Sequence, residues 1–445
     1  MSRHAVIVVD LGYGDGGKGA IVDALTERYN AHTVVRYNGG AQAAHTVVTP
    51  SGKVHTFAQW GSGTFHEGVR TYLSEYMLVD PLALMNEELY LRSVGIVDAY
   101  ERMFIDERAF IVTPFARALN RLREYARGDA RHGSCGMGIG ETVEDAKKEG
   151  AAALRVGDMK NEEVLNDKLM RQRERMHTLG KDIISNILLE GSIRDEWDIL
   201  SAVSEHAVKN TLSGCVSVRA RTNIVGRDWV ETLFREDGVV VFEGAQGVLI
   251  DQKAGFAPHT TWSDTTTRNA KAILREHNWE GEIVTVGVLR AYGVRHGPGP
   301  FVSEERMLTE LLPDSHNSWN EWQRDFRVGW FDAVVSRYAL RVTNGVDMLA
   351  LTNLDRIAML PEWSLAIQYQ SGLTTTRDID TPNIQGESLT KWLLSVKPVL
   401  ETMKNSGDVS EFISLIEREL SVPVVVCGLG PSSDKKEWRQ EIIAL

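Results

Sequence analysis

Asp15, Lys18, His45, Gln246 and Asp355 are the side chains best placed for chemistry on phosphates and a base. The stretch "DLGYGDGGKGAIVDAL" runs from Asp10 to Leu25. Counted from Gly12 it has the spacing of a phosphate-binding loop, G-x-x-x-x-G-K, with Lys18 in the lysine position. Small residues such as Gly14 and Gly17 let backbone N–H groups approach an anion, and the helix that follows adds its positive end. Lys18 would neutralise phosphate charge. Two features set the loop apart from that of an ordinary triphosphatase. Gly19 stands where a magnesium-holding hydroxyl belongs, and Asp15 places a carboxylate inside the cradle. A ligand-free tight turn is the bland alternative, and the density of glycines beside a lysine argues against it.

Three further stretches offer polar groups on slim backbone. In "RYNGGAQAAHTV", Gln42 and His45 are the polar side chains among glycines and alanines, and His45 could serve as a general acid toward a phosphate oxygen. A histidine in that setting taken alone is more often a structural hydrogen-bonder. In "FEGAQGVLIDQKAGFAPHTTWSDTTT", Gln246 lies between glycines, and Thr260, Thr261, Thr265 and Thr266 could donate to phosphate oxygens; a plain turn and threonine-rich loop is the alternative. "LTNLD" ends in Asp355 and is similar to the guanine-reading [NT]-K-x-D motif, with Asn353 where the lysine would stand.

These loops need strands to carry them. "HAVIVVDLG" reads as a buried strand and "KGAIVDALTERYN" as a helix, and "AHTVVRYNGG" supplies a second strand. "GVVVFEGAQG", "EIVTVGVLRAYG", "VDMLALTNLD" and "PVVVCGLGP" are further short apolar runs that stop at glycines or polar residues. The order predicts an α/β fold with a mostly parallel central sheet and a site where the strands end. Helical insertions are expected near 80–120 and 161–209, and a long loop at "LPDSHNSWNEWQRDFRVGW". No linker breaks the chain, so one elaborated domain over 1–445 is expected. The net charge of -12 and the lack of a basic tract argue against nucleic acid. No apolar run is long enough to span a membrane. Three scattered cysteines and an N-terminus without signal-peptide architecture point to the cytoplasm.

Taken together and in order, "GDGGKGAIVD", "NGGAQAAHTVV", "GMGIGETVED", "FEGAQGVLID", "GVLRAYGVRHGPGPF", "GWFDAVV", "LTNLD" and "GLGP" resemble the adenylosuccinate synthetase family over most of the chain. The resemblance implies a GTP-dependent ligase. It would phosphorylate O6 of IMP and let the amine of L-aspartate displace that phosphate. It implies Asp15 as catalytic base and magnesium ligand, Lys18 as loop lysine, His45 as stabiliser of the phosphate in transit and Gln246 as support for O6. It places Gly14, Gly17, Gln42, Ser134, Cys135 and Thr261 on nucleotide, Asp355 on guanine, and Gly428, Leu429 and Gly430 beside that base. It assigns Arg324 and Arg327 to the amino acid and the carbonyl of Ala44 to magnesium. A homodimer is implied as well.

The chain departs from the family pattern at several of these positions. Gly16 replaces a glutamate, Gln42 an asparagine, Ala44 a glycine, Ser134 and Cys135 paired threonines, and Met137 an arginine. The family's arginine that reaches the partner's nucleotide has no clear match; Lys147 or Lys148 could substitute. In the amino-acid loop Glu321 and Trp322 replace threonines and Phe326 a central arginine. Two versions of the function follow: IMP as acceptor, or a paralogue acting on a guanine nucleotide such as dGMP, with ATP or dATP as possible donors. A non-catalytic nucleotide sensor is the reading from another class.

Overall fold

The structure, a computed structural model, describes residues 2–128, 131–185, 187–201, 205–314, 325–379 and 386–444. Its spine follows from apolar runs that carry no alternation. In β1 (Arg3–Asp10) the side chains from Ala5 to Val9 are wholly buried, so both faces of the strand are covered. That pattern belongs to a parallel strand between two layers. The same holds for β2 (Thr33–Arg36). The chain then forms β3 (Arg70–Leu73), β4 (Met103–Asp106), β5 (Asn223–Val225), β6 (Gly238–Glu243) and β7 (Glu282–Arg290). A hairpin of β8 (Gly293–His296) and β9 (Phe326–Gly329) precedes β10 (Met348–Thr352), β11 (Val424–Gly428) and β12 (Lys436–Trp438).

Among the described residues, ten of these strands form one sheet in the order β12-β11-β10-β7-β1-β6-β2-β3-β4-β5. Every neighbouring pair is parallel except β12 on β11. The mostly parallel α/β sheet expected from the sequence is therefore present. Because the strands run alike, the loops after β1, β2, β6, β7, β10 and β11 gather at one edge, where such sheets bind ligands.

The helices cover the faces and extend one side. α1 (Lys18–Arg28) follows the glycine loop directly. α2 (Pro81–Ser93) and α3 (Pro114–Arg127) each start with proline after a capping side chain, Asp80 and Thr113. α4 (Ile139–Glu149) precedes a helical layer of α5 (Glu162–Ile184), α6 (Gly191–Leu200) and α7 (Glu205–Arg219). The segment near 161–209 is helical as expected. The segment near 80–120 is not wholly so. Between α2 and α3 the residues Met103, Ile105 and Ala109 are buried, and β4 joins the main sheet. The expected loop over 312–330 is also corrected. Residues 315–324 lie outside the described residues, but Phe326–Gly329 pairs antiparallel with β8.

Candidate active site

The loop after β1 is shaped by a residue that the motif spacing does not flag. Asp10, at the last position of β1, is 1% exposed. Its carboxylate accepts from the backbone N–H of Gly12 at 2.8 Å, from that of Gly16 at 2.8 Å and from Lys18 Nζ at 2.9 Å. Lys18 Nζ also donates to the Gly14 carbonyl at 2.7 Å. The lysine thus points into its own loop. A Cβ at Gly16 would stand 2.6 Å from Asp10 Oδ2, so the loop has exchanged a side chain at 16 for the carboxylate at 10.

Gly19 has a steric reason. A Cβ there would lie 2.9 Å from the Cβ of His45 and 3.1 Å from Ser62 Oγ. The place of the usual hydroxyl is taken by the strand that presents His45. The first turn of α1 carries no acidic side chain, and Gly17 caps it in a left-handed conformation, φ 90°. The N-terminal end of α1 therefore remains open to an anion.

His45 is buried and held from one side. Its Nδ1 lies 2.5 Å from Glu243 Oε1. Glu243 also accepts from Ser62, through the backbone N–H at 2.8 Å and the hydroxyl at 2.5 Å. Burial would push the Glu243 carboxyl up, but the buried guanidinium of Arg36, then His45 and Ser62, hold it well below the carboxylate range. Burial lowers His45 to about 4, against the pull of Glu243. A neutral ring beside an ionised carboxylate must donate from Nδ1. Its Nε2 is buried without a hydrogen-bond partner among the described residues, which leaves an unfilled acceptor in the site.

Asp15 stands across the loop with 30% of its side chain exposed. Its Oδ2 meets His296 Nδ1 at 3.1 Å. Burial pushes its carboxyl up, yet the hydrogen bond from His296, then the charges of His296, Arg290 and Lys18, bring it below the usual Asp value. Asp15 is the acid of this loop that faces outward, since Asp10 is consumed within it.

The loops after β2 and β6 are locked together. Asn38 donates to the Ala245 carbonyl at 2.9 Å and accepts from the Ala245 N–H at 2.7 Å. A Cβ on Gly247 would lie 2.3 Å from the Gly12 carbonyl, which is why this turn meets the first loop so closely. Gln246, at φ 63°, accepts from the Thr261 hydroxyl at 3.1 Å. Both polar atoms of the Gln42 amide are buried without hydrogen-bond partners among the described residues. Ala44 is exposed, one residue before His45.

The 131–138 segment closes this flank. His132 and Gly133 meet His259 and Pro298, so Ser134 and Cys135 are brought toward the Thr261 loop. Ser134 Oγ donates to Asn120 Oδ1 at 2.9 Å, and burial pushes the Cys135 thiol up to about 11. On the other flank, Thr352 Oγ1 donates to the Gly16 carbonyl at 2.7 Å and ties the first loop to the end of β10. Asp355 follows on a short helix, Leu354–Ile357. Beside it, buried Lys436 donates to the carbonyls of Gly430 and Ser432 at 2.7 and 2.8 Å and so holds the Gly428–Leu429–Gly430 turn.

Of the two arginines expected to meet the amino acid, Arg327 alone falls among the described residues. Arg324 lies outside the described residues. Arg327 donates to Glu304 at 2.6 Å and to the carbonyls of Gly297 and Gly299 at 2.8 and 3.0 Å, so its guanidinium braces the turn after β8. Lys148 pairs with Glu144 at 2.8 Å, and Lys147 lies over the exposed ring of Trp262 at 5.1 Å.

Among the described residues no three His, Cys, Asp or Glu side chains cluster as a metal cage. The donor set fits magnesium nonetheless, because that ion is commonly held by one carboxylate with phosphates and water completing the shell. Asp15 offers such a carboxylate, in the loop that leads to the open N-terminal end of α1.

Known proteins resemble this chain over nearly its whole length. The family model described as adenylosuccinate synthetase matches residues 7–436. The adenylosuccinate synthetase of Chlorobium phaeobacteroides is 30% identical over 454 residues, covering 98% of each chain. The fully ligated adenylosuccinate synthetase of Plasmodium falciparum has the same fold, with TM-score 0.79, 22% identity and coverage of 98% of this chain and 99% of that one. The succinoaminodeoxyadenylate synthetase of cyanophage S-2L, bound to dGMP and dATP, matches at TM-score 0.60 and 16% identity, covering 98% of this chain and 96% of that one. On this extent of match, the chain belongs to the adenylosuccinate synthetase family.

Proposed function

We propose that this protein joins L-aspartate to C6 of a purine nucleotide, IMP in the first place, at the expense of GTP and through a 6-phosphoryl intermediate. The family is one of carbon–nitrogen bond-forming ligases. The observation that carries the reading is a pair of groups left with open valence beside the glycine loop, one within it and one packed against Gly19. Asp15 keeps one carboxylate oxygen without a hydrogen bond among the described residues, and His45 keeps its buried Nε2 unfilled.

Each can do one part of the reaction. The carboxylate of Asp15 accepts a hydrogen bond from purine N1–H and takes that proton as O6 forms its bond to the γ-phosphorus. The ring's negative charge then leaves through O6, and the β–γ bridging oxygen departs with GDP. A phosphate beside Nε2 favours the protonated imidazole, because Glu243 lies behind it. His45 then donates to the phosphoryl group in transit. The aspartate amine adds at C6, the C6–O6 bond breaks, and phosphate leaves with O6 and the proton that the amine gives up. Magnesium, held by Asp15 and the Ala44 carbonyl, would neutralise charge on the transferred phosphoryl group. Gln42, Gln246, Thr261, Ser134 and Cys135 would hold the monophosphate. Asp355 and the Gly428–Gly430 turn would hold the GTP base. Lys18 shapes the loop and adds positive charge beneath the phosphates.

The test is a substrate matrix. Purified protein receives IMP, GMP or dGMP, with GTP, ATP or dATP, plus L-aspartate and magnesium, and products are followed by absorbance and mass. IMP with GTP should give adenylosuccinate, and Asp15→Asn should abolish turnover while IMP still binds. Preference for dGMP would assign the guanine acceptor. Tight nucleotide binding with no ligation in any combination would leave a sensor and refute the enzyme.

A further inference from the structure

Asp15 borders open space on one side. It lines a cavity of about 50 Å³ together with Tyr13, Arg290, Tyr292, Phe301 and Asp332 among others. A carboxylate beside open space can turn about its own axis unless something grips it. The grip in this structure comes from another element. His296, the last residue of β8, places Nδ1 3.1 Å from Asp15 Oδ2. An ionised carboxylate only accepts, so Nδ1 carries the proton of this bond. The imidazole is itself backed by the ring of Phe326, with centroids 4.8 Å apart. Phe326 opens β9 and is the cross-strand partner of His296. Next to them Arg327 fixes the 297–299 turn by two carbonyl contacts, so the histidine sits on a braced hairpin.

We propose that His296 is a positioning residue for the ligation reaction: it holds Oδ2 of Asp15 and thereby presents the other carboxylate oxygen to the purine, with Phe326 as its backstop. This rests on the proposed role of Asp15 as the base. It adds that the aim of the base is set by the β8–β9 hairpin and not by the glycine loop that carries it.

Steady-state ligation by wild type, His296→Leu, His296→Asn and Phe326→Leu tests this, with IMP dissociation constants measured separately. A misaimed base costs roughly 100-fold when displacement reaches about 1 Å. His296→Leu should therefore lose about 30- to 100-fold in kcat, with IMP affinity within about 3-fold of wild type. His296→Asn, whose amide nitrogen sits where Nδ1 was, should recover most of the loss. Phe326→Leu should fall between. A kcat for His296→Leu within about 3-fold of wild type overturns the proposal. So does an Asn variant as poor as Leu, or a loss confined to IMP affinity. An active wild type with an inactive Asp15→Asn isolates that failure from the functional reading. A wild type that ligates nothing removes both.

Discussion

Replacing Asp10 by asparagine should be among the more damaging isosteric changes available in this chain. The side chain is 1% exposed and sits opposite Lys18, which is 2% exposed. It serves three donors at 2.8, 2.8 and 2.9 Å. An amide keeps one acceptor oxygen, which can stay on the Gly12 N–H. Its NH2 then faces the Gly16 N–H and the Lys18 ammonium, a donor meeting two donors. Leaving one buried charge without its partner costs about 3–5 kcal/mol. Lys18→Met should cost less, about 2 kcal/mol, because Asp10 retains two backbone donors. The double variant leaves neither charge buried, so it should be more stable than the sum of the two losses by at least about 2 kcal/mol. Equilibrium urea unfolding of the four proteins at neutral pH reads this directly. A loss under about 1 kcal/mol for Asp10→Asn, or additivity within about 0.5 kcal/mol, would refute the claim that this pair shapes the loop.

Three further outcomes follow from neighbouring contacts. Gly19→Ser, which restores the customary hydroxyl, should displace His45 and lower kcat by at least about 10-fold with little change in IMP affinity; an unimpaired enzyme would contradict the steric argument. Lys436→Met should loosen the Gly428–Gly430 turn and raise the KM for GTP several-fold while leaving that for IMP unchanged. The pH dependence of stability should show His45. Burial lowers its folded value to about 4 while the unfolded chain titrates near 6.5, so the unfolded state binds more protons between those values. Stability is therefore complete above pH 6.5 and falls as pH drops toward 4. In urea titrations over that window His45→Gln should remove up to about 1.4 kcal/mol per pH unit of the slope, and an unchanged slope would mean that the ring is not buried neutral.

The strands were legible because parallel strands covered on both faces are written as unbroken apolar runs that stop at glycines or polar residues. β4 was hidden because its four residues lie between acidic and basic neighbours and between two helices. Asp15, Lys18 and Gln246 stood out by local spacing. Their partners did not. Glu243 and Asn38 act on residues 198 and 207 positions away, and His296 on one 281 away. No window of sequence contains such pairs, although Glu243 and His296 lie within the stretches "FEGAQG" and "YGVRHGPG". Asp10 did have a local sign, a carboxylate closing an apolar strand before a glycine loop. The contacts of Arg327 were equally out of local view, since Glu304 and the Gly297 and Gly299 carbonyls lie 23 to 30 positions away.

The proposed chemistry stands on one event: O6 of the purine becomes a phosphate ester before nitrogen replaces it. IMP labelled with oxygen-18 at O6, incubated with the protein, GTP, magnesium and L-aspartate, distinguishes the routes. The released inorganic phosphate should carry the label, one atom for each molecule of ligated product. Unlabelled phosphate, with the heavy oxygen appearing in water, would show that O6 never bonded to phosphorus and would contradict the 6-phosphoryl route.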